Sequence, residues 1–548
     1  MNVRVSIICF LFYLNTSFGQ SLEDKRDSIP FQKEAVFCKV WGFLKYYHPN
    51  VARGKYNWDE QFLTQLPLIQ KAKNKEEISL IYLNWIISLG DVKKQNISEE
   101  KEDSKYFTKN LDLAWLGNEH YFNAAVVEKL QFIKNNRYQG KPFYVDRAKT
   151  GNILMINEKM YKEALYPETN MRILNLCRYW NTVEYFFPYK YMTDQKWEDV
   201  LPEMIGKFVL VKNELDYNLA MLETVVKTDD AHGVFITDKT AGFFGQLFFP
   251  ATLKIIEGKA IVTGIPNDSL AKINDLKVGD IIEEIDGVPI ATIIKNKLKY
   301  LSGSNKDGKL RGTYYYLANG STNTVDVVLS RNSDTLRKKV SRYPYYAIYK
   351  REISSEKYKF LEDGIGYVDM SALQMPDVDK MMKQFENAKG IIIDIRNYPN
   401  FLPYVLARRF IKKSKDCINL IEPDFTYPGR FHHRKTITID PLKNYFKGKV
   451  VLLVNEQTQS RAEFSTMLLQ AGDNVITVGS QTAGADGNVS DFYFLKDRSI
   501  LSGTGIFYPD GTETQRKGVK VDIEVKPTIK GIQSGVDEVL QKGIEQIK

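Results

Sequence analysis

Cysteine is scarce in this sequence, four among 548 residues, at positions 9, 38, 177 and 417. Spacing that wide excludes a disulfide framework, and it offers none of the short Cys/His intervals of a metal site. Histidine is scarce too, with five in the chain, so a general base, if there is one, has few places to be. Long apolar runs are missing except at the N-terminus, and the mean hydropathy is −0.33. A polytopic membrane protein is therefore excluded. The 76 Lys+Arg against 67 Asp+Glu leave a net +9 with no basic arm or stripe, so no nucleic-acid partner is expected. No Gly-rich phosphate cradle or ligand cluster is visible either, and no cofactor is expected.

What is present is an ordinary globular composition, 43% apolar and 26% charged, in a chain several times the length of one domain. At the N-terminus Arg4 precedes an apolar stretch over 5–14, and Ser17-Phe18-Gly19 forms a small-x-small cleavage site. Ten residues cannot span a bilayer, so 1–19 reads as a removable signal peptide. The mature protein would then be exported, periplasmic or extracellular, with no integral membrane span. Ile8 before Cys9 is not the small residue of a lipoprotein anchor. For Cys38, Cys177 and Cys417, one disulfide with a free thiol and three buried thiols are both open.

Residues 20–160 and 161–242 read as mostly helical, and they contain a duplication. Trp41 and His48-Pro49 align with Trp180 and Phe187-Pro188, Trp58 with Trp197, and Asp91 with Asp230, all at one offset of 139. Amphipathic helix pairs that bury each other's Trp and Tyr account for it without invoking chemistry. The copies part at their ends: Leu89-Gly90-Asp91-Val92-Lys93 against Asp229-Asp230-Ala231-His232-Gly233. Only the second carries a histidine. The first copy offers no chemistry and reads as a scaffold or lid.

Over 243–343 the texture changes to short strands and turns. Gly279-Asp280-Ile281-Ile282-Glu283-Glu284-Ile285-Asp286-Gly287 reads as Gly turn, strand and Asp-Gly hairpin. This segment resembles a PDZ domain, which implies a small β-barrel that takes extended peptides at a strand edge. From 344 to 548 the pattern is α/β. The apolar runs 390–395 and 449–454 suit strands buried on both faces, and helical stretches between them predict crossover units.

The second run leads through Asn455-Glu456-Gln457-Thr458-Gln459 to Ser460, then Arg461-Ala462-Glu463 and an apolar helix. A serine beyond the C-terminal end of a buried strand, at a helix start, sits where open α/β sheets gather their sites. The helix's free N–H groups would favour an oxyanion there. Ser-x-x-Glu is also a capping box, which needs no catalysis. Among the histidines, His48 faces Phe187 in the other copy and suits packing, while His120, His432 and His433 lie in polar, loop-like stretches. His232 stands where the copies diverge.

The order Asp-x-His, PDZ module, Asp-x-Arg strand end, strand–Ser-x-Ala-Glu–helix, and Gly518-Val519-x-x-Asp522-Ile523 resembles peptidase family S41, the C-terminal processing or tail-specific proteases. It covers 172–528. The resemblance implies a multidomain α+β protein: a helical N-terminal region, a PDZ-like β-barrel and a ClpP/crotonase-like α/β protease core. It implies Ser460 as nucleophile acting on peptide or unfolded protein. The family's Ser–Lys style is not available, because Thr482-Ala483-Gly484-Ala485-Asp486 lacks the lysine. The tricorn-like Ser–His style implies His232 as base and a C-terminal acidic residue in support. Glu513 is the candidate, although Gln515 stands nearer the usual position, and a solvated loop glutamate is the alternative. Arg461 and Asn400 are implied as backbone oxyanion donors. The strand-end loop has Asn400 and Phe401 in place of two glycines, and Ala231 replaces a serine before the histidine. A catalytically impaired peptide-binding protein is thus a second reading. Hydrolysis of small esters is a third, which the PDZ-like segment disfavours.

Overall fold

The computed structural model describes residues 31–97, 105–349 and 356–548; the signal segment expected over 1–19 lies outside them. The first repeat consists of α1 (Gln32–Tyr47), α2 (Trp58–Lys71) and α3 (Lys75–Ser88). The second consists of α4 (Thr169–Phe186), α5 (Trp197–Leu210) and α6 (Glu214–Val226).

A buried indole N–H needs an acceptor, and both repeats supply it the same way. Trp41 donates to the Trp58 carbonyl at 3.0 Å and Trp58 returns the bond to Trp41 at 3.2 Å. Trp180 and Trp197 exchange bonds at 2.9 and 3.2 Å. Asn74 caps α3 through the Glu77 N–H, and Asn213 caps α6 through the Asp216 N–H, both at 2.9 Å. Where α1 crosses α4, equivalent residues meet each other. Cys38 and Cys177, 139 apart, form a disulfide, which leaves Cys417 as a buried free thiol. A Cβ on Gly42 would stand 1.7 Å from the Asn181 Oδ1, so this crossing requires glycine. Contact between equivalents is what a local two-fold relation produces.

After α6 the chain passes through His232 into a short strand, β1 (Val234–Phe235), and helix α7 (Asp238–Phe244). An antiparallel sheet follows: β2 (Thr252–Ile256), β3 (Lys259–Gly264), β4 (Ile281–Ile285), β5 (Val288–Pro289), then β6 (Thr324–Arg331) and β7 (Asp334–Ser341). The order is β7-β6-β4-β3-β2, with β5 on β4. Asp286 and Gly287 take φ of 48° and 73°, the two positive values a tight hairpin needs. Helices α8 (Ile290–Lys297) and α9 (Lys306–Tyr316) lie between β5 and β6 in the chain.

The C-terminal part is a central sheet. An edge strand, β8 (Tyr358–Phe360), runs antiparallel to β9 (Ile365–Asp369). Parallel to β9 are β10 (Gly390–Asp394), β11 (Lys449–Val454) and β12 (Val475–Gly479). The hairpin β13 (Val489–Tyr493) and β14 (Arg498–Ser502) leaves this sheet to join β1, in the order β13-β14-β1, and β15 (Ile523–Glu524) returns to pair with β12. Ile391, Ile393, Val450 and Leu452 pack on one side with Ala462, Leu468 and Leu469 of α10 (Arg461–Gln470). Ile392, Val451 and Leu453 pack on the other with Val539 of α11 (Glu538–Ile547). Both faces are covered, which is why 390–395 and 449–454 are uninterrupted apolar runs.

Candidate active site

Ser460 ends the turn between β11 and α10 with φ 56° and ψ −121°. Such a backbone is unfavourable for a residue with a side chain, at a cost of about 1–3 kcal/mol, and persists only where neighbours hold it. Here they do. Its N–H donates to the Ala485 carbonyl at 2.9 Å and to Glu463 at 3.3 Å. The buried Glu463 carboxylate also accepts from Thr482 Oγ1, from the Gly484 N–H at 2.8 Å and from the Ala485 N–H at 2.9 Å. Burial pushes its pKa up, against those hydrogen bonds. Glu463 therefore serves the backbone, as a capping-box glutamate does, while Ser460 faces a cavity.

His232 reaches the same cavity from the second helical repeat. Strand β1 pairs with β14 in the register Val234↔Ile500 and Phe235↔Ser499. Continued two residues, that register sets Ser502 opposite His232. The His232 Nδ1 lies 2.9 Å from Ser502 Oγ, and that hydroxyl is 3.1 Å from Asp230 Oδ1. Asp230 further accepts the Ser502 N–H at 2.6 Å, the His232 N–H at 3.1 Å and Gln515 Nε2 at 3.3 Å. A carboxylate can only accept, so the one Ser502 proton goes to Asp230 and the hydroxyl accepts from Nδ1–H. That assigns the tautomer with its lone pair on Nε2, a buried atom with no hydrogen-bond partner among the described residues. Burial holds the His232 pKa below its usual value, with the Asp230 charge opposing and Arg311 adding to the depression.

The shared cavity has a volume of about 950 Å³, and its lining includes His232, Ser460, Lys254, Arg311, Asn397 and Tyr398. Gln459 ties the two halves together by donating to the Ala231 carbonyl at 3.0 Å. Lys254 pairs with Glu456 at 2.8 Å. Arg396, at the strand end, is taken up by Asp394 at 2.6 Å and Asp537 at 2.8 Å. The Asp-x-Arg motif thus clamps β10 to the start of α11.

Two expected site residues stand elsewhere. Asn400 does not take a positive φ, and its N–H donates to the Met370 carbonyl at 3.3 Å. Its side chain holds Ser371 and Leu373 carbonyls at 3.2 and 2.8 Å, so in this conformation the loop offers Asn400 to its own backbone and not to an oxyanion. The Arg461 N–H stands at the start of α10, where the first N–H groups of a helix lack intrahelical acceptors. Glu513 is also not brought to His232. It pairs with Lys109 at 3.1 Å and Lys517 at 3.0 Å. Burial would raise its pKa, but its backbone bond and the two lysines bring it down to about 2. The residue that does reach the network is Gln515, whose Nε2 also lies 3.3 Å from Ser304 Oγ. Gln515 was signalled by its closeness to the usual acidic position. Ser502 carried no sequence signal at all. His48 is buried and accepts the Asn50 N–H at 3.3 Å, a packing role, with its pKa pushed to about 4 by burial.

A strand–turn–helix serine and a buried histidine with a carboxylate behind it line one cavity, an arrangement that suits a serine-type hydrolase. Residues 364–525, under a third of the chain, match the model of peptidase family S41, and this match supports a serine-type peptidase. Among solved structures it is similar to mature CPAF complexed with lactacystin, at 14% identity over 69% of this chain and 98% of that one, TM-score 0.54. Mature CPAF alone gives 14% identity, the same coverage and a TM-score of 0.52. At that identity the likeness is one of fold. The sequence matches no curated protein at a significant level.

Proposed function

We propose that this chain is an exported serine endopeptidase that cleaves peptides or unfolded proteins with Ser460 as nucleophile and His232 as base. The observation that carries the reading is the Asp230–Ser502–His232 chain, which leaves Nε2 basic on the cavity Ser460 lines. Ser460 Oγ attacks the amide carbon as its proton passes to Nε2. The new imidazolium keeps Nδ1–H on Ser502 and feels the Asp230 charge. The oxyanion is met by the helix-start N–H of Arg461. Collapse breaks the C–N bond, Nε2–H protonates the leaving amine, and water repeats the sequence on the acyl-Ser460 ester.

The antiparallel sheet is read as the PDZ-like tail-binding module. Supporting this, β2 is an edge strand, and a groove of about 610 Å³ beside it is lined by Ile255, Ile294, Leu298 and Leu310. Lys254 lines both this groove and the catalytic cavity, and its ion-pair partner Glu456 lines the groove. A substrate tail laid along β2 would therefore lead toward Ser460. The Cys38–Cys177 disulfide suits an oxidising, exported setting.

A second reading, a peptide-binding protein with little turnover, is favoured by the Asn400 N–H being spent on Met370. The test is incubation of wild type, Ser460→Ala and His232→Ala with an unfolded protein and a peptide library, with new termini read by mass spectrometry. Cuts made by wild type and lost in both variants are expected. Peptide retention with no cuts by any of the three would replace the peptidase reading with the second one.

A further inference from the structure

Next to the catalytic cavity lies a second one of about 520 Å³. Ala231 and Gly233 flank the histidine and line it, and Arg311 borders both spaces. Its wall is apolar: Val234 and Phe235 of β1, Phe244 of α7, then Phe248, Leu301 and Tyr316. The Phe244 and Tyr316 rings stack at 4.4 Å. Val234 is nonetheless 40% exposed, and Ile236, also in the lining, 70%. Apolar side chains left facing solvent in a concave wall mark a site that something apolar fills.

The chemistry says on which side of the scissile bond that something lies. The base that takes the serine's proton must hand it to the leaving nitrogen, so space adjoining His232 beyond Ser460 belongs to the leaving fragment. Strand β1, which begins two residues after His232, is an edge strand, bonded among the described residues to β14 alone within its sheet. An extended peptide can pair along its free edge and drop alternate side chains toward the wall.

We infer that this cavity is the leaving-side specificity pocket, and that it selects substrates with a large aliphatic or aromatic residue within the first few positions after the cut. The inference rests on the assignment of Ser460 and His232. Ala241 also lines the pocket, on the partly exposed face of α7, and a tryptophan there would fill the space without entering the catalytic chain.

The test compares wild type, Ala241→Trp and Ile236→Asp on quenched peptides identical before the cut and carrying Phe, Leu, Ala or Asp at each of three positions after it. Wild type is expected to favour Phe or Leu over Ala and Asp at one position by about tenfold or more in kcat/KM, the scale of a filled apolar subsite. Both variants should lose that preference while cleaving the Ala peptide at wild-type rates. Cleavage by wild type with no leaving-side preference, or a preference both variants keep, would overturn the pocket and leave the peptidase reading intact. Should wild type cut nothing, the failure is that of the catalytic assignment. Anisotropy with labelled Phe- and Ala-bearing peptides on Ser460→Ala then decides the pocket. Tighter Phe binding that Ala241→Trp abolishes supports it, and equal binding of the two peptides rejects it.

Discussion

His232 Nδ1 and Ser502 Oγ stand 2.9 Å apart, and the hydroxyl hands the contact on to Asp230, whose own separation from Nδ1 is 3.9 Å. At that distance the carboxylate steers the imidazole through the serine and does not hold it directly. Ser502→Ala is therefore expected to lower kcat on the order of 10- to 100-fold at nearly constant KM, with Ser502→Thr restoring most of it. Asp230→Asn should cost more, on the order of 10³-fold, because an amide can donate and so permits the wrong tautomer. Steady-state kinetics on the three variants check the ranking. A Ser502→Ala enzyme with wild-type kcat would remove the serine from the relay.

Burial of a neutral imidazole sets a pH dependence of known sign. The base must be unprotonated, and the His232 pKa lies below its ordinary 6.5. The acid limb of kcat/KM should accordingly fall below pH 6.5, with a flat profile through neutrality. Stability follows the same groups. His232 and His48 both resist protonation when folded, the latter down to about 4, whereas the unfolded chain takes up protons below about 6.5. More protons bound by the unfolded state means stability that declines as pH drops from 6.5 toward 4. Thermal melts across that range check it, and His48→Asn should flatten part of the slope.

How much of this was readable from the chain depends on where the information lay. The constant offset between Trp41 and Trp180 was legible because each indole must find the same acceptor in each copy. Ser460 was legible because its strand is buried on both faces and its helix begins one residue later. Asp-x-His marked the second repeat's end, and the copies part there in the structure too: Asp91 is exposed while Asp230 is buried. The partner of His232 was not legible, since Ser502 arrives through the antiparallel register of β14 with β1, a pairing between segments 270 residues apart. In the sequence only its charge favours Glu513 over Gln515. Its placement was decided by Lys109 and Lys517, which no local pattern announces.

The same contrast yields a prediction. Glu513→Gln removes two ion pairs from a partly exposed carboxylate and should leave kcat/KM within about twofold, since such pairs contribute little. Gln515→Leu removes a buried donor from Asp230 and Ser304 and should lower kcat several-fold or more through the histidine. Equal effects from the two would mean that Gln515 is not part of the support.

The disulfide joins equivalent turns of α1 and α4, closing 139 residues of chain. Its loss should act on stability and not on chemistry, because Cys38 and Cys177 are core residues of the repeats and neither lines the catalytic cavity. A Cys38→Ala/Cys177→Ala protein is expected to lose about 2–5 kcal/mol, the range for a native disulfide, and to keep its kcat at low temperature. Denaturant melts beside kinetics at 15–20 °C separate the two effects.

The oxyanion donor gives the sharpest expectation. The Asn400 N–H is committed to Met370, and Phe401 stays outside the turn with its ring toward Tyr404 and Phe464, at 5.8 and 6.4 Å. Arg461 is then the one helix-start donor at the serine, and a missing partner costs about 10²–10³ in kcat. Replacing Asn400 and Phe401 together by glycine frees the backbone to turn its N–H inward. The double variant should therefore raise kcat at least about tenfold, although it loses the ring contacts and some stability. A kcat unchanged or lowered, in a protein whose melt shows it folded, would mean that the wild-type loop already swings its N–H into place when substrate binds.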